Sequence, residues 1–350
     1  MIVPFPLTNQ LYARELRRMI VNDCNLFELV DLNGTKVFEN ATVSNCIPFI
    51  KKTATTGITL ISHINERRVI SHSFVQLHSD LVQDENTLVW NVTQEKRETN
   101  RHSNMKVLGD FCYISVGMVL NADEKTAKGE FSKEDLISTI KDAIHCRKYI
   151  EAKDIEKYHV NRVRYLEYDT ARSPDKLRRP TFRELYNRPK LVMNCLGTIN
   201  ASLDVDNHFL HNHSIYCGVL WKDFFGVNNK SLASSIKKFS TMTRPEMEKL
   251  SQTVDLRYLL GVLNSRYASV LLTNIRGGDY HIYPEHIRNI PIPSATPIQQ
   301  RPIIVLVDKI LAAKNVNPQK DTSEWEMELD KLVYELYGLS EEEIRIVEAP

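Results

Sequence analysis

The sequence predicts an α/β chain that ends in helices, on three observations. LFELVDL (residues 26–32) and ATVSNCIPFI (41–50) are short apolar runs rich in strand formers, separated by a turn signal at Asn33-Gly34. LRYLLGVLNSRYASVLL (256–272) carries Leu256, Leu259, Leu260, Leu263, Tyr267, Val270 and Leu271 at three- and four-residue steps, the mark of a helix with one buried face. Two further stripes follow, Ile298, Ile303, Ile304, Val307, Ile310 and Leu311, then Trp325, Leu329, Leu332, Val333 and Leu336, which predict a helical hairpin.

Each element has its own local reasons. Ile2-Val3-Pro4 reads as a clipped extended piece, and Thr8 as the N-cap of a helix whose apolar positions are Leu11, Leu16, Met19 and Ile20. A parallel sheet needs more strands than 26–32 and 41–50 to bury both faces, so residues 1–52 read as the end of a domain whose beginning is absent, leaving an unpaired sheet edge. FCYISVGMVLNADE (111–124) supplies strands around Gly117. HIRNIPIP (286–293) forbids helix at Pro291 and Pro293 and suits an extended sheet-edge segment. Gly338 is a C-cap, and Ser340 ahead of three glutamates is an N-cap.

The composition is ordinary for a globular protein, with 42% apolar and 25% charged residues in a chain of 350. No run of eighteen apolar residues and no basic-then-apolar leader occurs, so a soluble cytoplasmic protein without membrane contact is expected. Six scattered cysteines with no Cys-x-x-Cys pair point to reduced thiols. The formal charge of +1 hides an asymmetry. RSPDKLRRPTFRELYNRPK (172–190) holds seven cations against two acids, a candidate phosphate-contacting surface or a solvated loop. Residues 321–350 hold ten acids against Lys331 and Arg345, a segment that nucleic acid would repel.

A family resemblance emerges from ordered motifs. IVP, ARELRRMI and LFELVDLNGTKVFENATVSNCIPFIKK, through Pro4, Leu16, Arg17, Asp31, Leu32, Val37, Phe38, Ala41 and Val43, resemble the last strands of the catalytic domain in adenine-N6 DNA methyltransferases fused to type IIG restriction enzymes. HCRKYIEAKDIEKYHV resembles the opening of their TaqI-like specificity domain, with Ala152 and Lys157 as departures. RPKLVMNCLG, Leu263-Asn264-Ser265, HIRNIPIP and LDKLVYELYGLSEEEIRIV also fit, so the likeness spans nearly the whole chain.

The resemblance implies a remnant of a methyltransferase sheet at 1–52, a linker region at 53–106, a mixed α/β DNA target-recognition domain at 107–295, and a helical tail at 296–350. It implies a specificity part that is not catalytic alone. Double-stranded DNA is the implied partner, with a separate methyltransferase chain or self-association at the open edge. S-adenosylmethionine and Mg belong to the parent system. They do not belong here: no Gly-x-Gly turn and no Pro-Pro dipeptide occurs to hold that cofactor and a flipped adenine, and the single Pro-Asp, Pro174-Asp175, is followed by no acidic-x-Lys nuclease pair.

The residues expected at DNA are Arg178, Arg179, Arg183 and Lys190 of the basic run, Lys153, Gly117, and Arg276 with Gly277 and Gly278. Glycine admits close approach of a backbone or a phosphate, or marks a bulge, and an arginine reaches a phosphate or a guanine edge. His208, His211 and His213 are spaced for metal, but strand alternation would split them between two faces, so they read as polar positions near the DNA-facing surface. The competing readings are a protein-interaction module working through the helical tail and an enzyme with an unrecognised nuclease site.

Overall fold

The fold is taken from a computed structural model, which describes residues 1–32, 44–64, 69–77, 81–82, 88–92, 105–179, 182–276 and 281–348. The turn at Asn33-Gly34, the motif residues Val37, Phe38, Ala41 and Val43, and the pair Gly277-Gly278 lie outside these. The chain forms two compact units, residues 1–104 with 273–281, and 105–272 with 282–350.

In the first unit, strands β1 (Val3–Pro4), β2 (Asn25–Asp31), β3 (Asn45–Lys51), β4 (Ile58–Ile64) and β5 (Ile70–Leu77) form one sheet in the order β1-β3-β2-β4-β5. Only the β2–β4 pairing is parallel. The boundary expected after residue 52 therefore does not hold. The stretch read as a linker supplies β4 and β5, so β2 is flanked on both sides, and the edge strand that residues 1–52 contribute is β1, among the described residues. The flanking strands come from later in the chain, which a reading of 1–52 alone could not see.

Helix α1 (Arg14–Asp23) also differs from expectation. Thr8 does not cap it; its hydroxyl and its N–H close a 3-10 turn onto the Phe5 carbonyl. Leu16 and Met19 are exposed, while Ile20 and the side chain of Arg17 are buried. Arg17 donates to the carbonyls of Leu88 (2.7 Å), Leu7 (2.8 Å) and Gln10 (2.8 Å), satisfying three backbone acceptors that the core of Phe5, Leu26, Leu29, Ile61 and Trp90 cannot.

The second unit is mixed α/β. Its central antiparallel sheet runs Ala201–Asp204, Lys190–Asn194, Ile215–Leu220, Cys112–Val116. A second sheet runs Leu210–His211, His145–Ile150, Arg164–Glu167, Ile137–Ser138, and the short strand Leu177–Arg178 pairs with Val119–Ala122. Their shared core includes Leu120, Phe131, Tyr149, Leu166, Tyr186, Trp221 and Phe224.

The helix expected over 256–272 is broken. Leu256–Asn264 and Arg266–Arg276 are separate helices, parted at Ser265, whose backbone is extended. The Asn264 side chain leaves the helix and pairs with the strand beginning at Ala201. Gly261 explains the packing on the next helix, Pro297–Val316: a Cβ there would sit 2.6 Å from Ile303 Cγ2. Pro291–Ile292 is extended and pairs with Lys106–Val107, as the proline spacing predicts. Its neighbouring carbonyls are used by helices, Pro291 accepting from the Tyr337 hydroxyl (2.6 Å) and Pro293 from Tyr258 (2.9 Å).

The helical C-terminal region follows the predicted stripes in part, with Ile304, Leu311, Trp325, Leu332 and Leu336 only half-buried and Leu306, Tyr334 and Tyr337 added to the buried face. Ile303, Leu306, Val307 and Ile310 of Pro297–Val316, and Leu329, Val333, Tyr334 and Tyr337 of Ser323–Tyr337, are buried; Ile298 is exposed. Gly338 ends the second helix in the left-handed region, at φ 66°. Ser340 and Glu343 exchange hydrogen bonds at the start of Glu341–Glu348.

Candidate nucleic-acid interface

The basic run does not form one surface. Lys190 opens a central strand directly opposite Asp204, and the two side chains form a fully buried ion pair at 2.6 Å, with Lys190 also donating to the Tyr186 carbonyl. It cannot reach DNA. Arg172 lies on Glu167 at 2.6 Å, Lys176 on Glu130 at 3.5 Å, and Arg183 on Asp169. The expectation for Arg183 is corrected in part: it is exposed, but its charge is already matched. Three cations remain without a carboxylate partner among the described residues: Arg188, half-buried, and Arg178 and Arg179, both exposed.

Gly117 is buried, and it makes the backbone approach rather than a phosphate contact. A Cβ there would overlap the carbonyl oxygens of His211 and Asn212. The approach is held by Met118 N–H to His211 carbonyl at 3.2 Å and His213 N–H to Met118 carbonyl at 3.0 Å. One residue on, Val119 is paired with Arg178. Gly117 thus brings the 211–213 segment and the Leu177–Arg178 strand, with Arg179 just after it, to either side of one crossing.

The charges gather there. His213, although exposed at the surface, is held below the ordinary histidine range by partial desolvation and by the positive charge of Arg179, Arg178 and Lys133. Lys133 pairs with Glu151, which also takes Lys153 at 3.1 Å and Arg164 at 3.3 Å; Arg164 pairs in addition with Asp154. Burial would raise the Glu151 carboxyl, but hydrogen bonds from Lys133 and Lys153 keep it low. Lys133, Lys153 and Arg164 thus stand around two acids, Glu151 and Asp154, while Arg178 and Arg179 share only the field at His213. Lys153, expected at DNA, is exposed but already paired with Glu151. Lys133 and Arg164 were missed, because only the fold brings them to Glu151.

Arg276 is half-buried, in the other compact unit, where its carbonyl accepts from Asn9 at 2.7 Å. The histidine trio is divided, though not as alternation suggested. His211 is buried against Tyr186, its pKa pushed down to about 3 by burial and then by Lys190. His213 is exposed, and His208 sits in a turn with φ 52°. Asp204 is committed to Lys190 and to the backbone N–H groups of Asn207, His208 and Phe209. Among the described residues no cluster of His, Cys, Asp and Glu is arranged to hold a metal ion, and no helix is long and apolar enough to cross a membrane.

Comparison with known proteins adds the fold. No family model and no curated protein matches the sequence. Among solved structures, the type IIL restriction-modification enzyme MmeI in complex with DNA overlays with a TM-score of 0.53 at 10% identity, over 99% of this chain and 48% of that one. The type IIG restriction endonuclease BpuSI aligns at 13% identity with a TM-score of 0.32, over 96% of this chain and 47% of that one. This chain therefore spans about half the length of these enzymes, and shares its fold with that half of the restriction-modification enzyme MmeI.

Proposed function

We propose that this chain recognises a DNA target sequence, as the specificity part of a type IIG-like restriction-modification adenine-N6 DNA methyltransferase. The observation that carries the reading is the crossing at Gly117, where Arg178, Arg179, His213 and Lys133 share one field. Arginines without carboxylate partners suit phosphate contacts, which fix register on a duplex without reading bases. The fold shared with a restriction-modification enzyme solved in complex with DNA supports it. In this reading the sheet of the first unit is the end of a methyltransferase catalytic fold. A separate methyltransferase chain, or a second copy, is the proposed partner at β1, which has a neighbour on one side only among the described residues.

The residues present do not fit S-adenosylmethionine, since the chain has neither a Gly-x-Gly turn nor a Pro-Pro dipeptide. Methyl transfer and cleavage are assigned to parts outside this chain. Binding to mixed duplexes at several salt concentrations tests the reading. Each phosphate contact contributes about 0.9 to the slope of log affinity against log salt, so replacing Arg178 and Arg179 by Ala should lower the slope by about two. Unchanged slope and affinity would show that DNA, if bound, lies elsewhere.

A further inference from the structure

We propose a second, separate anion site in the same unit: a surface cleft of about 600 Å³ that takes a phosphate group, lined by Lys141, Arg147, Lys148, Asn187, Asn207 and His208. None of these residues belongs to the cluster around His213. The case begins with how the cations are held. Lys148 Nζ donates to Asn207 Oδ1 at 2.6 Å, and Arg147 Nη2 to Asn187 Oδ1 at 2.9 Å with its guanidinium over the Tyr168 ring at 5.1 Å. These amide partners fix direction without cancelling charge. Elsewhere in the unit Arg164, Arg172, Lys176, Arg183 and Lys190 each have a carboxylate. Here three cations share a cleft whose one lining carboxylate is Asp206, paired with none of them among the described residues.

Donor geometry selects the ligand. An asparagine whose oxygen faces a cation has its two N–H donors left to point elsewhere. Asn187 and Asn207 both stand so. The cleft therefore offers a guanidinium and two ammonium groups against one lining carboxylate, Asp206. A tetrahedral oxyanion with several strong acceptors fits that inventory, and arginine's planar fork suits two phosphate oxygens at once. His208 supplies the second observation. Its backbone is left-handed at φ 52°, a conformation disfavoured for a residue with a Cβ, and is held there by its N–H bonded to Asp204 at 3.0 Å. The turn sets the ring at the cleft, where Nδ1 is buried without a partner among the described residues.

The phosphate can come from the DNA backbone or from a free phosphoryl compound, and two arms separate them. The full chain is titrated with inorganic phosphate and with a short mixed duplex. Wild type is compared with Lys141→Ala/Lys148→Ala, with Asn207→Ala, and with Arg178→Ala/Arg179→Ala. Lys141 and Lys148 are exposed, so their replacement leaves the fold intact. The expected result is that Lys141→Ala/Lys148→Ala weakens phosphate binding at least tenfold and Asn207→Ala weakens it less, while the arginine pair lowers the duplex slope independently of the lysine pair. If the lysine pair also lowers the salt slope for the duplex by about two, the ligand is backbone phosphate; if the duplex is unaffected, it is a free phosphoryl group. Loss of all duplex binding with phosphate binding retained would remove the DNA reading and leave this site. Phosphate binding that is absent, or unchanged in the lysine pair, together with an unchanged duplex slope, overturns the proposal.

Discussion

The side-chain amide of Asn264 pairs with the backbone of Ala201 as a neighbouring strand would. Its oxygen accepts from Ala201 N–H at 2.9 Å, and its nitrogen donates to the Ala201 carbonyl at 3.0 Å. Both residues are buried. Asn264→Ala strips a donor and an acceptor of their partners with no water to replace them, so unfolding in urea should show a loss of about 2–4 kcal/mol. Asn264→Asp, which can accept but not donate at neutral pH, should not restore stability.

Lys190 and Asp204 separate folding from binding. Lys190→Ala leaves a carboxylate uncompensated in the core and should cost about 3–5 kcal/mol. The salt slope for DNA, measured under conditions where the variant stays folded, should equal that of wild type. A reduced slope would mean that the buried lysine reaches the ligand after all.

Gly117→Ala should be among the most damaging one-carbon changes in the chain. The added methyl meets backbone carbonyls, which cannot rotate away as a flexible side chain would. Overpacking of this kind costs about 1–3 kcal/mol or more. Because relief requires moving 211–213 off the Arg178 strand, duplex affinity should fall as well, while Gly226→Ala, which strains only its own left-handed backbone at φ 75° and meets no neighbour, should cost stability but leave affinity unchanged.

Acid should destabilise the second unit through His211. Its folded pKa of about 3 lies below the ordinary 6.5, so the unfolded state binds a proton that the folded state refuses. The stability is present above 6.5 and lost as pH falls toward 3. Between pH 7 and pH 5 this group alone should remove about 2 kcal/mol. His211→Leu should flatten that part of the stability profile, and an unchanged acid slope would show that the ring is protonated in the fold.

The regular helices were legible in the sequence, because a stripe such as Leu329, Val333 and Leu336 is a local pattern, and so were the caps at Gly338 and Ser340. The two-residue strand Pro291–Ile292 was legible for the same reason: proline fixes its own backbone. What escaped was non-local. Ser265 breaks a helix whose apolar spacing runs straight through it, because Asn264 finds its partners at Ala201, sixty-three residues away. Residues 58–77 join the first sheet by pairing with strands already in place, which no local signal announces. Arg178 and Arg179 could be picked out by charge, but so could Lys190, and charge does not tell a cation facing water from one facing Asp204. Lys133 and Arg164 became visible only once Glu151 drew them together.

Asp204 ties the interior of this unit to its rim. One carboxylate neutralises a lysine in the core and, with the same two oxygens, gathers the amides of the turn that presents Asn207 and His208. The turn has no anchor of its own making; it borrows one from the hydrophobic interior. Natural variation at the rim can therefore proceed by exchanging the side chains at 207 and 208 while the carboxylate stays, so that new surface chemistry arrives on a mount already tightened from within.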